Sequence, residues 1–558
     1  MYFFKRHRRE LLIAAFFLAV GFLMYGASLR NEFVDYDDTR LVLQNPLIRE
    51  ISFRNLLAIL TSYEEVLYTP FLFLSFQIDY AISGFHPSFY HLHSLLLHIG
   101  SSLLAFAILR HFMKSRSFSL LFALLFLVHP LNTEAVAWVS ARKDLLAGLF
   151  CLLAIFLYLR YEESRSSKIY YGSFLAFAAG LASKPSILAL PFLLIVLDYY
   201  RMSREKRMHW TEYAPFFALS LAFGAIGLFG DTQLTLLHSS SIAEKFLMAG
   251  KSSMFLLYKM FLPLHLSVIY PYTDAISFFS VDFFLPLLFL ILLLSAAWHI
   301  RRSSPEVLFG LTWFLIMLAP TFASFQIGEN FGDVYFAADR YAYVPMIGIL
   351  LGLGMLLEKR VPQRFTKPLL GSLSVIIIVF AFLAANQAAV WRTSRTLFQN
   401  VIRHYPDAQA AHNNIGVYFY ERGLLSSAIE SYKKSIAIRP TASAYGNLGQ
   451  AYMDSGGLNE AIDAFENTLE LNPLHAGAQL NIGVAYSKRA MHKEALEAYR
   501  LASLLDAASP VPFINMGLTY EQLGEAALAR EAYETALKRD PGLTQLSGKI
   551  EELTRSAE

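Results

Sequence analysis

Two adjacent acidic residues, Asp37 and Asp38, follow the first long apolar segment of the chain within a few residues. Carboxylates so close to a membrane-spanning segment are costly to place there, so their position calls for a reason. Neighbouring carboxylates titrate as a coupled set, and a partly desolvated one has the pKa that a general base requires. The pair predicts an acid–base centre lined by Asp35, with either aspartate as the base. The alternative is a solvated loop in which Arg40 pairs with the acids.

A second group of polar side chains lies in residues 129–144, between the third and fourth apolar segments. So many polar groups in a short reversal, among them His129, Glu134 and Arg142, predict a hydrogen-bonded site. The alternative is anchoring at the membrane interface, with Trp138 among the headgroups and Arg142 extending to water. His129 and Glu134 lack the spacing of a helical zinc site, and the paired carboxylates lack a complete ligand set for a divalent cation, so no metal is predicted.

Two cations, Lys184 and Arg340, are predicted on the outer side of the membrane, where Lys and Arg are usually scarce. A cation at a helix end on that side is well placed to bind a lipid phosphate, Arg in a bidentate manner and Lys as a point charge. Tyr341 is expected to line the same site. The alternative for each cation is an ordinary salt bridge, for example that of Arg340 with Asp333 or Asp339.

The composition places these residues in a membrane protein. The chain is 55% hydrophobic and only 16% charged, which excludes an ordinary soluble enzyme. Since a span needs about 20 apolar residues, we expect about eleven of them. They lie near residues 11–29, 89–109, 118–137, 145–159, 169–183, 186–200, 213–230, 282–300, 305–323, 343–357 and 368–388. Shorter or interrupted apolar stretches near 54–62, 70–83 and 246–262 are expected to lie along the outer interface.

The distribution of Lys and Arg predicts the orientation. Their clusters fall on one side when the spans are drawn in this way, and that side should be the cytoplasm. The N-terminus is then cytoplasmic, and the aspartate pair, both outer cations and everything after Trp391 lie outside. Two further spans between 231 and 281 would leave the final orientation unchanged. The first helix is expected to be uncleaved, and the single cysteine, Cys151, excludes an intrachain disulfide.

A repeating helical pattern begins near residue 409. Glycines recur after 33, 34 and 34 residues, each followed twelve positions later by alanine and sixteen positions later by an aromatic residue. The glycines are Gly416, Gly449, Gly483 and Gly517. This is the tetratricopeptide (TPR) signature of two antiparallel helices per repeat. We expect a membrane domain over 1–392, a linker over 393–408, a solenoid of about four repeats over 409–543 and a C-terminal helix or tail over 544–558.

An asparagine stands two positions before each of these glycines. The four are Asn414, Asn447, Asn481 and Asn515. Stacked repeats would align their amides into a ladder able to bond the backbone of an extended acceptor polypeptide. The alternative is that asparagine at this position is a general feature of such repeats.

Taken in order, several segments resemble the transmembrane-and-tetratricopeptide O-mannosyltransferase (TMTC) family and its bacterial relatives, within the GT-C class of glycosyltransferases. These segments are FVDYDDTRLVLQNPLI, YTPFLFLSFQIDYAISGFHPSFYHLHSLLLH, HPLNTEAVAWVSARKDLLA, SKPS, DRYAYVP and the terminal repeats. The resemblance implies an all-α fold, a GT-C-like membrane bundle followed by a TPR solenoid. It also implies a catalytic acid in the first external loop, here Asp37 or Asp38, and donor-phosphate cations at Arg142, Lys184 and Arg340.

The activity implied is inverting transfer of mannose or another hexose from a polyprenyl- or dolichyl-phosphate donor to Ser or Thr of extracytoplasmic proteins, which the TPR arm would recruit. No cofactor besides the lipid-linked donor, and no nucleic acid, is expected. The membrane would be the bacterial inner membrane, or that of the endoplasmic reticulum in a eukaryote. Two alternatives stay open: the same transfer to a glycan or lipid acceptor, and a non-catalytic scaffold for envelope or secretion assembly.

Overall fold

The computed structural model describes residues 8–63, 67–201, 210–230, 241–272, 276–324 and 334–557. The chain divides into two compact units, a membrane unit up to Tyr405 and a repeat unit from Pro406 onward. Strands among the described residues are limited to one antiparallel pair of two residues each, β1 (Pro271–Tyr272) and β2 (Val334–Tyr335). The prediction of an all-α fold is therefore confirmed.

The membrane unit is built from sixteen α-helices in its described part. The first are α1 (Arg8–Tyr25), α2 (Phe53–Thr61), α3 (Pro70–Ser83), α4 (Pro87–Phe112), α5 (Arg116–Leu127) and α6 (Thr133–Ala137). Then follow α7 (Arg142–Ser164), α8 (Ser167–Leu181), α9 (Leu190–Arg201), α10 (Trp210–Gly230) and α11 (Ile242–Phe261). The last are α12 (Val281–His299), α13 (Pro305–Leu318), α14 (Pro345–Arg360), α15 (Gln363–Val390) and α16 (Ser394–His404).

Seven helices in the described part of the chain are long and apolar enough to cross a membrane, and an eighth is counted if α5 and Pro130–Ala137 form one bent span. The remaining three of the eleven predicted spans coincide with α8, α9 and α14, which have only 15, 12 and 16 residues. These helices are short because polar loops around Lys184 and Arg340 interrupt the apolar runs. Helix α11 is not among the candidate spans, and residues 231–240 lie outside the described ranges.

The bend of 45° after α5 carries the chain from a span into the interior of the unit. Pro130 has no N–H group to donate, so a continuous helix cannot be hydrogen-bonded through it. The His129 ring caps the new turn, since its Nδ1 accepts the Leu131 N–H at 3.2 Å. As a result, residues 129–147 are all buried.

Helices α13 and α14 approach each other through glycines. Gly348 and Gly352 stand one turn apart on α14, and Gly310 faces them from α13. A Cβ atom on Gly310 would lie 2.7 Å from the Gly348 carbonyl oxygen, and one on Gly352 would lie 2.7 Å from that of Glu306. Small residues at this spacing let two membrane helices bring their backbones into contact. This contact holds the first half of α14, which begins at Pro345, five residues after Arg340.

The repeat unit is a row of helix pairs, and the TPR register is confirmed. The pairs are α17 (Gln409–Glu421) with α18 (Leu425–Ile438), α19 (Ala442–Ser455) with α20 (Leu458–Leu471), α21 (Ala476–Lys488) with α22 (His492–Leu505), and α23 (Val511–Gln522) with α24 (Ala526–Arg539). Helix α25 (Gln545–Ala557) follows them, in the predicted tail. Each signature glycine packs under its aromatic partner; a Cβ on Gly449, for example, would lie 2.7 Å from the Phe465 ring.

Candidate functional site

The first loop after α1 is fixed by the carboxylate of Asp38. This side chain is fully buried, and both of its oxygens accept hydrogen bonds. Oδ2 accepts from the Val34 N–H at 3.0 Å, and Oδ1 accepts from the Ser140 N–H at 2.9 Å and from its hydroxyl. Burial raises the pKa of Asp38 to about 6, although these hydrogen bonds oppose the shift. Asp38 therefore joins the loop to the turn before α7, and its complete burial keeps it from contact with a substrate.

Asp37 is the accessible member of the pair. Its side chain is 28% exposed, and its Oδ1 lies 3.3 Å from the Arg40 guanidinium. Asp35 is also partly exposed, and its backbone N–H donates to the Ser394 hydroxyl at 2.7 Å. Asp38 fixes the backbone of the loop, and the neighbouring Asp37 carboxylate is partly exposed. Asp37 can therefore exchange a proton with a bound molecule.

Arg340 pairs with Glu134, across 206 residues of sequence. Both carboxylate oxygens of Glu134 accept from Arg340, one from the guanidinium and the other from the backbone N–H at 3.1 Å. Asp339 bonds elsewhere, because its Oδ1 accepts from the Tyr270 hydroxyl at 2.7 Å. Arg340 thus forms a salt bridge, as the alternative expects, but its partner is Glu134 and not Asp339; Asp333 lies outside the described residues.

Lys184 forms a second pair, with Asp144 at 2.6 Å. Burial lowers the pKa of the Lys184 ammonium, and the charge of Asp144 opposes this shift. Electrostatic interactions also link Asp144 to Arg340 and Lys184 to Arg340. Glu134, Asp144, Lys184 and Arg340 therefore form one ion-pair cluster, with two positive and two negative groups.

Aromatic rings hold the cations of this cluster together. The Tyr341 ring centroid lies 5.1 Å from the Arg340 guanidinium carbon and 5.6 Å from the Lys184 ammonium nitrogen. The Trp138 ring lies 5.2 Å from the same guanidinium and 5.2 Å from the ring of Tyr36. Burial raises the pKa of the Tyr36 hydroxyl, while the charge of Arg340 opposes the shift. Tyr36 directly precedes Asp37, so the acidic loop and the ion-pair cluster lie side by side.

A small cavity of about 20 Å³ adjoins the cluster, with room for about one water molecule. Asp144, Arg340 and Tyr341 form one part of its wall, and Ser186 and Thr321 add hydroxyl groups. Apolar side chains complete the lining, among them Ile187, Met317, Val344 and Pro345. The described residues contain no group of three or more His, Cys, Asp or Glu side chains placed to hold a metal ion.

Arg142 and His129 do not join the cluster. The Arg142 guanidinium is fully buried, forms an ion pair with Asp79 of α3, and also donates to the Tyr90 carbonyl of α4 at 2.7 Å. The His129 Nε2 lies 3.0 Å from the Met260 carbonyl oxygen. Because the donors of Arg142 are engaged within the protein, its position does not suit the phosphate contact that the family resemblance implies.

Residues 388–398, which comprise the end of α15, the short connection and the start of α16, also contact the acidic loop. The Glu32 N–H donates to the Arg392 carbonyl at 3.0 Å, in addition to the bond from Asp35 to Ser394. The Trp391 and Trp138 rings stack at 5.7 Å. The predicted linker 393–408 thus contains a helix, α16, whose N-terminus fastens the loop that bears Asp37.

In the repeat unit, a groove of about 690 Å³ runs between α19 and α21. It is lined by two of the four predicted asparagines, Asn447 and Asn481. The Asn447 amide donates to the Asn413 side chain at 3.1 Å, and the Asn481 amide donates to the Gln450 side chain at 3.4 Å. Asn414 and Asn515 are partly exposed on α17 and α23, outside the lining of this groove. These two amides contact the preceding repeat through Asn413 and Gln450 and not through the preceding asparagine of the predicted ladder, so the ladder stays a prediction.

The candidate site residues predicted from the sequence do not include three residues that make contacts in this region. They are Tyr36, Asp79 and Asp144. Asp79 carried a signal, because a lone acid within an apolar helix requires a buried partner. Asp144 follows two cations closely, so its pairing with the more distant Lys184 could not be foreseen. Tyr36 has no signal of its own, since an aromatic residue in a loop next to a membrane is common.

Comparison with known proteins finds matches to the repeats and to relatives that also cover the membrane unit. Tetratricopeptide repeat models match residues 383–443, 447–510 and 513–542. A protein O-mannosyl-transferase of Caenorhabditis elegans is 22% identical over 458 residues, which is 78% of this chain and 63% of the relative. The protein O-mannosyl-transferase TMTC1 of Mus musculus is 35% identical over 163 residues, which is 27% of this chain and 17% of the relative. The chain thus matches less than two thirds of the length of each of these relatives.

A crystal structure of MamA is 26% identical and covers 27% of this chain and 90% of MamA, with a TM-score of 0.26. The named relatives and the repeat matches confirm the resemblance that the sequence predicts. The chain is a membrane protein with C-terminal tetratricopeptide repeats that is similar to the TMTC protein O-mannosyl-transferases.

Proposed function

We propose that the chain is a membrane glycosyltransferase that moves a hexose from a polyprenyl- or dolichyl-phosphate donor to Ser or Thr of a polypeptide. The observation that carries the proposal is the convergence of Lys184 and Arg340 on one aromatic ring, that of Tyr341. Two cations held together beside an accessible carboxylate suit a donor with an anionic leaving group. The names of the relatives support transfer of a sugar to protein.

In the proposed reaction, Asp37 acts as the general base. The acceptor hydroxyl attacks the anomeric carbon of the donor, and Asp37 takes the hydroxyl proton as the new C–O bond forms. The bond between the anomeric carbon and the phosphate oxygen breaks, and the lipid phosphate leaves with its electron pair. Attack opposite the leaving group inverts the anomeric centre. A positioned base contributes about 10²–10⁴-fold to such a step.

The ion-pair cluster stabilises the charge that develops on the leaving phosphate. Glu134 and Asp144 hold the Arg340 and Lys184 side chains in place before the donor binds, so little reorganisation is needed during the reaction. Arg340 offers a planar, two-pronged contact to phosphate, and Lys184 a point charge. A donor whose lipid tail stays in the bilayer must meet the enzyme at the membrane. The cluster lies there, beside the polar loops that adjoin the short helices α8, α9 and α14.

Two residues of the predicted site take supporting roles in this proposal. Asp38 positions the loop through Ser140, and Arg142 joins α7 to α3 through Asp79 and to α4 through the Tyr90 carbonyl. Both are positioning residues, because their hydrogen-bonding capacity is used within the protein. The phosphate contact is assigned to Arg340 and Lys184 alone.

The repeat unit recruits the acceptor polypeptide in this proposal. Holding the acceptor near the membrane raises its local concentration at the acidic loop. The membrane is the bacterial inner membrane, or that of the endoplasmic reticulum in a eukaryote, with the acidic loop and the repeats on the non-cytoplasmic side.

Replacing Asp37 tests the base assignment. Asp37→Asn keeps the shape of the side chain but cannot take up a proton, so transfer to a Ser/Thr peptide should fall by about 10²–10⁴-fold. Binding of the lipid-linked donor should change little, because the cluster is intact. Radiolabelled transfer and donor binding are measured on the full chain in nanodiscs. Glu50→Gln, a change of another exposed acid on the same side of α1, is the matched control. An Asp37→Asn variant with full activity would exclude Asp37 as the base.

A further inference from the structure

Among the residues that the structure describes, the lining of the groove in the repeat unit contains no Lys, Arg, Asp or Glu side chain. The groove measures about 690 Å³, which is within the usual range for a ligand site. Its wall is nevertheless polar, because it includes the hydroxyl and amide side chains of Thr441, Ser443, Asn447, Gln450, Asn472 and Asn481. Such a lining offers many hydrogen bonds to a ligand and no ion pair.

Two amides of this lining are held in place by side chains of the preceding repeat. Asn447 donates to the Asn413 oxygen at 3.1 Å, and Asn481 donates to the Gln450 oxygen at 3.4 Å. Gln450 is held in turn, because its nitrogen donates to the two carboxylate oxygens of Asp454 at 3.2 and 3.1 Å. A side-chain amide has two N–H groups and one oxygen, and these bonds use one N–H of each asparagine. Asn447 and Asn481 therefore each keep an N–H and an oxygen for a bound molecule.

The titratable groups next to these amides do not make the groove charged. The Nδ1 of His475 accepts the Ala478 N–H at 3.0 Å and so caps α21. A ring nitrogen that accepts a hydrogen bond carries no proton, so this bond belongs to the neutral ring, which donates through Nε2. Asp454 lies outside the lining, and its carboxylate also accepts from the Tyr420 hydroxyl. The groove is therefore a neutral site that both donates and accepts hydrogen bonds.

We propose that the groove selects an uncharged, Ser/Thr-rich segment from the interior of the acceptor polypeptide and holds it by its backbone. The inference rests on the proposed function, which makes the occupant a polypeptide acceptor. Each backbone unit of an extended segment offers one N–H and one C=O, which complement the oxygen and the N–H that Asn447 and Asn481 keep. A charged side chain or a terminal carboxylate would lose hydration in the groove without gaining an ion pair. The groove thus excludes charged segments and chain ends.

The test measures binding of three fluorescent peptides to the full chain in nanodiscs by anisotropy. The neutral peptide consists of Ser, Thr and Gly with both ends blocked, the acidic peptide carries Glu at alternate positions, and the third is the neutral peptide with a free C-terminal carboxylate. The wild-type chain should bind the neutral peptide about tenfold more tightly than the acidic one. The free carboxylate should give no gain in affinity. Raising the ionic strength from about 0.1 to 1 M, which shortens the Debye length from about 10 to 3 Å, should leave binding of the neutral peptide unchanged.

A cation added to the groove should change its selectivity. Ser443 lines the groove and is exposed at the start of α19, so Ser443→Lys introduces a charge without disturbing the packing. This variant should bind the acidic peptide about fivefold more tightly than the wild-type chain does, and high salt should remove the gain. Ser547→Lys is the matched control, because Ser547 is exposed at the start of α25, outside the lining, and it should keep the wild-type affinities. Hydrogen exchange of residues 442–471 checks that the repeats of both variants are folded.

Several outcomes would overturn the inference. Equal affinity of the wild-type chain for the neutral and acidic peptides, a gain from the free carboxylate, or loss of neutral-peptide binding in high salt would each show recognition of charge. An equal effect of Ser443→Lys and Ser547→Lys on the acidic peptide would place the peptide outside the groove.

Transfer of a labelled hexose from a lipid-linked donor to the same neutral peptide tests the proposed function separately. Transfer to a peptide that does not bind the groove removes the inference alone. Binding with the expected ratios but without transfer removes the proposed function, and the preference of the groove for neutral segments stands.

Discussion

The two adjacent aspartates of the first loop have different environments and therefore different tasks. Asp38 is enclosed, and its oxygens accept from Val34 and Ser140, whereas Asp37 remains accessible beside Arg40. A buried carboxylate that accepts hydrogen bonds from backbone N–H groups holds that backbone in place, whereas a partly exposed carboxylate can exchange protons. The sequence places both acids at the site but cannot divide the tasks, because Ser140 lies 102 residues away.

Replacing Asp38 should destabilise the membrane unit rather than remove the base. In Asp38→Asn, the new NH₂ group must face either the Val34 N–H or the Ser140 N–H, and two donors cannot bond each other. Leaving one of them unsatisfied costs about 1–3 kcal/mol. All five tryptophans lie between residues 138 and 391, so their fluorescence reports melting of this unit. An unchanged melting temperature would contradict the positioning role.

The same carboxylate predicts a pH dependence. Its pKa is raised from 3.8 to about 6 in the folded chain, chiefly by burial, so the folded state binds the proton more tightly than the unfolded state. Its contribution to stability is complete below pH 4 and is lost as the pH rises through about 6. The melting temperature of the wild-type chain should therefore fall over this interval, and Asp38→Asn should lack that component. Equal slopes for both proteins would exclude Asp38 as its source.

At the scale of elements, the Arg142–Asp79 pair joins the start of α7 to the middle of α3. Removing the cation alone leaves a buried carboxylate without a partner, which costs about 3–5 kcal/mol. Arg142→Met should therefore lower the melting temperature strongly, and Arg142→Met combined with Asp79→Leu should recover much of the loss. The double variant should also keep donor binding, measured with a polyprenyl phosphodiester of a hexose. A stable double variant that no longer binds donor would return Arg142 to the phosphate site.

Helix pairing in the repeats depends on the glycine under each aromatic ring. Gly449→Ala places a methyl group 2.7 Å from the buried Phe465 ring, and such overpacking costs about 1–3 kcal/mol. Gly446→Ala on the same helix is the matched control, since its nearest neighbour, Thr468, is 3.8 Å away. Hydrogen exchange of residues 442–471 in the full chain should be accelerated about tenfold by the first change and not by the second. Equal exchange in both variants would refute the packing role.

Two contacts, Gly449 with Phe465 and Arg340 with Glu134, show which contacts between elements can be predicted from the sequence. Gly449 and Phe465 lie sixteen residues apart in a unit that recurs, so their pairing is visible as a pattern. Arg340 and Glu134 lie 206 residues apart and occur once, so nothing in the sequence distinguishes Glu134 from the nearer Asp339. The helices were predicted because each is a local apolar run. The three short helices were predicted as full spans because the polar loops at their ends occupy only a few residues, so the apolar runs look longer in the sequence than the helices are.

At the scale of the whole molecule, the proposed function assigns the acceptor polypeptide to the groove of the repeat unit and the lipid-linked donor to the ion-pair cluster of the membrane unit. Asn447→Ala combined with Asn481→Ala should weaken acceptor binding and raise KM for the acceptor polypeptide about tenfold, since two hydrogen bonds are lost. The turnover number and KM for the donor should be unchanged. Asn467→Ala is the control, because Asn467 is partly exposed on α20, lies outside the lining of the groove, and donates to the Asp463 carbonyl of its own helix at 2.7 Å. If the double variant behaves like this control, the groove does not bind the acceptor.

The bond between Asp35 and Ser394 has a consequence for biosynthesis. The loop with the two aspartates leaves the ribosome 359 residues before the segment that fastens it. At about 5–20 residues per second, translation needs roughly 20 to 70 seconds to supply that segment. A nascent chain therefore carries its acids on an unfastened loop until the last membrane helix has been inserted, and only then does the loop acquire its final geometry.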